Sequence, residues 1–292
     1  MAEIRVEYDS HMGDCLKVCR MAKDSFGRTT EWEYALDPEE ETGWEFHTES
    51  TSGDVYRRLS DKDQRLLKML ARGMGEDEYQ EALGQIRLYA SHEEYDEGAE
   101  WAKGQFEAAV WKFRNTTPHL APFGHNFITF KFQAPVFVMR QIVKHEYIRI
   151  SELSMRYVRG MPEYYRPKSW RAVAEDVKQG SGGDISGVPA HMLYKHLDDC
   201  SEYDSDEYES FIDKDGKYKL APEQARMFLR LCHMTQGHIS GSMDAIAGLV
   251  TKRLDLHAQE ETREFARQIE RQCRQIWPWS WPALMEGCDV SA

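Results

Sequence analysis

The period of apolar and polar positions changes several times along the chain, and each change predicts an element. IRVEYD reads as a strand and HMGDCLKVCRMAKDSFGR as the short helix after it. Residues 37–53 (DPEEETGWEFHTESTSG) are acidic and turn-rich, which predicts a surface loop. SDKDQRLLKMLARGM opens with a serine N-cap and a first-turn acid, then places Leu66, Leu67 and Leu70 at helical spacing. From about 76 to 113 the chain is helix-prone and amphipathic, with Phe106, Val110 and Phe113 spaced four and three apart. HNFITFKFQ alternates Phe127, Thr129 and Lys131 with Ile128, Phe130 and Phe132, the pattern of a strand with a buried face. Ala134 and Pro135 end that strand and start a helix from 135 to about 147, with proline in the first turn, where its missing N–H does no harm.

KQGSGGDISG reads as a linker and LDDCSEYDSDEYESFIDKDGKY as an acidic stretch. The DKDG within it fails as a calcium loop: when Gly216 takes the turn position, Phe211 falls on the first ligand and Pro222 on the closing glutamate, which leaves a solvated turn. The last third predicts helices over PEQARMFLRLCHM, GSMDAIAGLVTKRL and HAQEETREFARQIERQCRQIW; the third has a stripe of Phe265, Ile269, Cys273 and Ile276 and stops at Pro278. No repeat and no βαβ alternation is evident. The order predicts an α+β fold, a small antiparallel sheet flanked by many helices, as one domain over 1–292 with insertions at about 76–113 and 177–219.

Composition narrows the class. The 292 residues are 41% hydrophobic and 30% charged, with no run long and apolar enough for a membrane span and no leader-like start, so a soluble cytoplasmic protein is expected. Six scattered cysteines without CxxC pairs predict reduced thiols and no metal site. A net charge of −13 argues against nucleic-acid or anionic-membrane partners. Yet residues 131–171 hold nine Lys/Arg (Arg159 among them) against three acids, a local +6, which suits a pocket for small phosphorylated anions.

The basic island contains candidate chemistry. On a helix, Gln141, Lys144 and His145 share a face. Downstream, Glu152, Ser154 and Arg156 alternate, so an extended segment would aim all three to one side. A carboxylate, a hydroxyl and a guanidinium beside a cationic helix end fit a polar phosphorylated ligand.

At this point the chain resembles the flavin-dependent thymidylate synthases, whose signature is Arg-His-Arg, seven residues, then Ser and, two further on, Arg followed by Tyr. Lys144, His145, Glu146, Ser154, Arg156 and Tyr157 occur at that spacing, and HMGDCLKVCRMAKDSFGR, HLAPFGHNFITFKFQAPVFVMRQ, RLDLHAQEETREFA and IWPWSWPAL resemble further blocks of the family in order. The resemblance implies a homotetramer that uses FAD, with NADPH and methylenetetrahydrofolate as cosubstrates, to convert dUMP to dTMP. It assigns His119, His125, Lys144, His145 and His257 to the flavin. It assigns Gln141, Glu152, Ser154, Arg156, Arg226 and Arg253 to the nucleotide, with Arg253 as the donor that stabilises charge developing on the pyrimidine carbonyl. His257 follows Arg253 by four, one turn on along the same helical face, and His125 reads equally as a core histidine. Ser154 and Glu146 complete the group expected at the reacting ring. No cysteine nucleophile is implied.

Departures leave the substrate open. Glu146 replaces the second signature arginine, Lys144 keeps charge but loses the bidentate fork, and Ser242, Asp244 and Gly248 stand where the family presents asparagine and arginine to the flavin. An ordinary synthase, a relative that methylates or hydroxymethylates dCMP (or hydroxymethylates dUMP), and a non-catalytic nucleotide binder all accommodate these changes. Glu146 could accept a hydrogen bond from the amine of cytosine, which uracil lacks.

Overall fold

The computed structural model describes residues 2–24, 26–38, 43–50, 53–90, 97–157, 163–174 and 181–289. Arg159 and parts of both expected insertions lie outside this range, as does the side chain of Phe113. In chain order the elements are β1 (Arg5–Met12), α1 (Cys15–Asp24), β2 (Glu33–Leu36), β3 (Glu45–Ser50), β4 (Gly53–Arg58), α2 (Asp61–Arg72), α3 (Glu76–Ala90), α4 (Glu97–Asn115), β5 (Phe127–Pro135), α5 (Val136–Ile142), β6 (Arg149–Glu152), β7 (Trp170–Arg171), β8 (Asp184–Ile185), α6 (Gly187–Ile212), α7 (Pro222–Ala225), β9 (Met234–Ser242), α8 (Met243–Leu254), α9 (Glu260–Ile276) and α10 (Ser280–Asp289). The mixture of helices with small sheets is the α+β class expected. The chain forms two compact units, residues 1–11, 128–241 and 249–272 in one, and 12–127, 242–248 and 273–292 in the other.

The first unit is organised by a four-stranded sheet in the order β1-β5-β9-β6. Strand β5 buries Ile128, Phe130, Phe132 and Ala134, the alternation its sequence predicts. Val138, Met139 and Ile142 of α5 and Phe265, Ala266 and Ile269 of α9 are likewise essentially inaccessible, and the Phe132 and Phe265 rings meet edge to face at 6.1 Å. Each of the larger of these side chains contributes roughly 1.5–3 kcal/mol through burial. β6 runs antiparallel to β9 with Glu152 opposite Gly237. A Cβ at Gly237 would lie 1.9 Å from the Ser151 carbonyl oxygen, so only glycine lets the two strands approach this closely.

The second unit is mainly helical. α2 begins at the expected cap: Ser60 Oγ accepts from the Asp63 N–H at 3.2 Å. It ends at Gly73, whose φ of 73° is the left-handed conformation that closes a helix. Its core includes Leu16, Leu67, Phe123 and Ile246, and the stacked indoles of Trp277 and Trp281, 6.4 Å apart. The Trp277 N–H donates to Gly13 O at 3.0 Å.

Several expectations are corrected. The loop predicted over 37–53 contains β3, which pairs with β4 in a sheet of order β2-β4-β3; Phe46 faces Tyr56 across the pair, and such aromatic contacts outweigh the local acidity. PEQARMFLRLCHM is not one helix: α7 and a 3-10 turn over Arg226–Phe228 end at Leu229, and β9 begins at Met234. The helix expected to about 147 stops at Ile142, with Pro135 as its N-cap. The acidic stretch, by contrast, is largely the 26-residue helix α6. DKDG forms the turn, with Asp213 Oδ1 accepting from the Asp215 N–H at 3.0 Å.

Candidate functional site

A pocket of about 680 Å³ lies within the first unit. Gln141 at the end of α5, Arg253 in the last turn of α8, and His257 with Gln259 in the following turn line one part of it. Phe137, Tyr165, Trp170, Arg171 and Glu261 line another. Phe137 and Tyr165 meet edge to face at 5.9 Å and present an aromatic wall. Glu261 is 5% exposed, and both its oxygens accept from Arg171 Nη2 at 2.8 Å, a pairing that joins β7 to α9. Burial alone would lower the Arg171 pKa, but this partner outweighs it and holds the guanidinium above its ordinary value. Burial also raises the Tyr165 hydroxyl far above its ordinary value, so that group stays protonated at neutral pH.

Arg253 is a second fixed cation in the pocket, held by neutral acceptors rather than by a carboxylate. Its Nε donates to His145 Nε2 at 2.8 Å and its Nη2 to the Gln141 carbonyl at 2.8 Å. Among the described residues Nη1 makes no hydrogen bond, so a ligand can receive its protons. Burial and the adjoining Arg253 and Lys252 charges pull His145 down to about 4, so the imidazole is neutral at pH 7 and offers the lone pair that Arg253 requires. The Gln141 amide donates to Gln259 Oε1 at 2.7 Å, which leaves the Gln259 amino group for an acceptor.

A second grouping lies at the end of β6. The extended segment stops there, and residues 154–157 turn, closed by the Tyr157 N–H on Ser154 O at 3.0 Å. The alternate-residue reading therefore fails after Leu153, but the turn still brings Arg156 onto Ser154, whose hydroxyl accepts from Arg156 N and Nε at 3.4 Å each. Glu152 is exposed on β6, and Arg226 is exposed on the 3-10 turn after α7. Lys144 and Glu146 are exposed beyond α5, and neither lines the pocket. Because α5 ends early and α8 ends at Leu254, before His257, the shared helical faces expected for Gln141 with Lys144 and for Arg253 with His257 are replaced by turns. His257 is held by its N–H on Asp255 Oδ1 at 2.7 Å.

The remaining expected flavin residues belong to the second unit. His119 and His125 are both exposed, which removes the core reading of His125; the buried group there is Asn126, whose amide donates to Asp14 O at 2.8 Å. Ser242 donates to Asp244 at the start of α8, and Gly248 adjoins open space. No group of three or more His, Cys, Asp or Glu positioned for a metal occurs among the described residues. Nor is any described helix long and apolar enough to cross a membrane. Cys15, Cys19 and Cys273 are buried; burial pushes the Cys15 thiol up to about 11, which keeps it unreactive.

Residues 58–279 match the family described as thymidylate synthase complementing protein. The chain belongs to that family, the flavin-dependent thymidylate synthases. The flavin-dependent thymidylate synthase of Thermus thermophilus is 29% identical over 208 residues, 70% of this chain and 74% of the relative. That of Ruegeria pomeroyi is 31% identical over 163 residues, 55% of this chain and 53% of its own. The same fold occurs in a UMP/dUMP methylase, PolB from Streptomyces cacaoi, crystallised with 5-Br dUMP: TM-score 0.64, 18% identity, 100% of this chain and 98% of that one. Family membership implies a flavoprotein that uses FAD.

Tyr165, Trp170, Gln259 and Glu261 were not singled out from sequence. Gln259 and Glu261 lie inside the RLDLHAQEETREFA block, which marked their neighbourhood but not their roles. Trp170 carried no signal, because a two-residue strand has no period to detect.

Proposed function

We propose that this protein transfers a one-carbon unit from methylenetetrahydrofolate to C5 of a deoxypyrimidine monophosphate, with dUMP converted to dTMP, using FAD and NADPH as reductant. The observation that carries this is Arg253, a guanidinium held by His145 and Gln141 whose Nη1 meets no acceptor among the described residues, in a pocket with an aromatic wall. C5 of uracil is a weak nucleophile. A fixed donor at a ring carbonyl stabilises the negative charge that develops as C5 attacks, and it needs no reorganisation at that moment. The Gln259 amino group is a second donor suited to a carbonyl edge. Ser154, Arg156 and Arg226 would receive the phosphate, where charge-assisted hydrogen bonds are strongest.

The donors of the first unit suit FAD. Lys144 is an exposed cation suited to its diphosphate, and His145, whose Nε2 is taken by Arg253, offers its other ring N–H. When bound, the flavin supplies the reducing equivalents that complete the transferred carbon as a methyl group. The chain's own residues orient the nucleotide and hold charge at its carbonyl.

The cytosine alternative depends on Glu146 reaching the base. Its exposure and its place outside the pocket lining favour uracil. The test is titration of the purified protein with FAD, followed by NADPH oxidation with and without dUMP. FAD binding and dUMP-stimulated oxidation support the reading; absence of FAD binding up to millimolar flavin removes it.

A further inference from the structure

We infer that Tyr208, on the acidic helix α6, is a positioning residue for the phosphate end of the nucleotide. The inference rests on the nucleotide reading above. Tyr208 is wholly buried, and its hydroxyl donates to the Met155 carbonyl at 3.2 Å. Met155 lies between Ser154 and Arg156, so the bond fixes the peptide that separates the two expected phosphate ligands. The same ring packs with Ile212, Ala225 and Leu229, and Met155, Phe211 and Leu220 close over that cluster. Ala225 immediately precedes Arg226, and Leu229 closes the 3-10 turn that carries it, its N–H donating to Arg226 O at 3.3 Å. One side chain thus joins the turn bearing Ser154 and Arg156 to the turn bearing Arg226.

The charge pattern of α6 suits a brace and not a ligand site. Its acids would repel a phosphate, and Asp204, one turn before Tyr208, is tied to Arg230 at 2.6 Å, which holds the helix against the segment leading to β9. Apolar packing of this kind restricts the relative positions of the three ligands, and an arginine constrained before binding loses less side-chain freedom when the anion arrives. A break in the brace should therefore weaken ground-state nucleotide binding and leave the chemical step unchanged.

The experiment compares Tyr208→Phe with the wild type and with Tyr203→Phe, which removes an exposed hydroxyl that donates to Glu207 on the same helix. Calorimetric dUMP affinity, KM and kcat for dUMP, and FAD affinity are measured on each. Tyr208→Phe is expected to raise the dUMP Kd and KM about five-fold with kcat and FAD affinity unchanged, the effect of one neutral hydrogen bond. Tyr203→Phe is expected to match the wild type. Ile212→Val, which thins the cluster without touching a hydrogen bond, should shift dUMP affinity about two-fold in the same direction and covers the case in which Tyr208→Phe folds poorly. Unchanged dUMP affinity in both cluster variants, or an equal loss of dUMP and FAD binding, overturns the positioning role and leaves the nucleotide site standing. Absence of dUMP binding to the wild type overturns the nucleotide site and this role with it.

Discussion

Arg253 and His145 lie 108 positions apart and are joined by a hydrogen bond from Nε to Nε2 at 2.8 Å. The bond fixes the guanidinium plane and simultaneously specifies the imidazole as the neutral tautomer protonated on Nδ1. A half-buried cation held in this way is suited to stabilising charge on a bound carbonyl.

Arg253→Lys should therefore be far from conservative. Lysine keeps the charge but cannot satisfy His145, the Gln141 carbonyl and a ligand from one planar fork. Turnover of dUMP is expected to fall about 100- to 1,000-fold, the usual loss of a preorganised donor to developing charge, with a smaller change in KM. A lysine variant within three-fold of wild-type kcat would remove Arg253 from that role.

His145 also predicts a pH dependence. Its pKa falls from 6.5 to about 4 in the folded protein, through burial first and the neighbouring cations second. Between those values the unfolded chain binds more protons than the folded one, so stability rises with pH across the window and is lost as pH falls through it. His145→Asn should flatten this part of the curve. Thermal melts of both proteins from pH 4 to 7.5 provide the check: parallel curves would show that His145 does not contribute.

Much of this was legible in the sequence, and the remainder has physical reasons. The β5 core face was readable because Ile128, Phe130 and Phe132 alternate with exposed or polar neighbours; the α2 cap was readable because Ser60 and its acids are local signals. Element ends were not. Nothing in PVFVMRQIVKHEY marks Ile142 as the last helical residue, because the turn that follows, with the His145 N–H on Ile142 O at 3.2 Å, leads into the pairing of β6 with β9, whose partner strand lies far along the chain. β3 was hidden by acidic neighbours, since cross-strand partners such as Tyr56 leave no trace in a local window. In the site, family blocks located Gln141, Arg253 and His257, whereas the wall formed by Tyr165, Trp170 and the Arg171–Glu261 pair depends on tertiary packing.

Gly237→Ala tests the close approach of β6 to β9. The added methyl would meet Ser151 O at 1.9 Å, and neither strand can yield without disturbing the pairing that leads into the Ser154 turn. A loss of roughly 1–3 kcal/mol is expected from the overpacking, accompanied by weaker dUMP binding. Urea denaturation with an unchanged m-value measures it; wild-type stability would mean that the strands separate more easily than their geometry implies.

Phosphate recognition is tested at two arginines from different elements. Arg156→Ala and Arg226→Ala should each weaken dUMP by roughly 1.5–3 kcal/mol, the range for hydrogen bonds to a charged group, while both exposed sites leave folding intact. Calorimetry with dUMP decides between roles: loss in one variant alone assigns the phosphate to that turn, and wild-type affinity in both rejects the site.

Glu146 is where this chain departs most sharply from the signature, and the structure changes what should be expected of it. A carboxylate in the base pocket would oppose the uracil carbonyl acceptor to acceptor and favour the cytosine amine. Glu146 is instead exposed, beyond the end of α5 and outside the pocket lining, whereas the donors Arg253 and Gln259 line the pocket. Both donors match a carbonyl edge, so wild-type protein should convert dUMP to dTMP and leave dCMP unchanged. Glu146→Gln should retain that preference, with kcat/KM for dUMP within about three-fold, because an exposed charge contributes little to a screened interaction. Mass spectrometry of parallel reactions with dUMP and dCMP, each supplied with FAD, NADPH and methylenetetrahydrofolate, decides the matter. A methylated or hydroxymethylated product from dCMP that disappears in Glu146→Gln would place this carboxylate at the base after all and make cytosine the substrate.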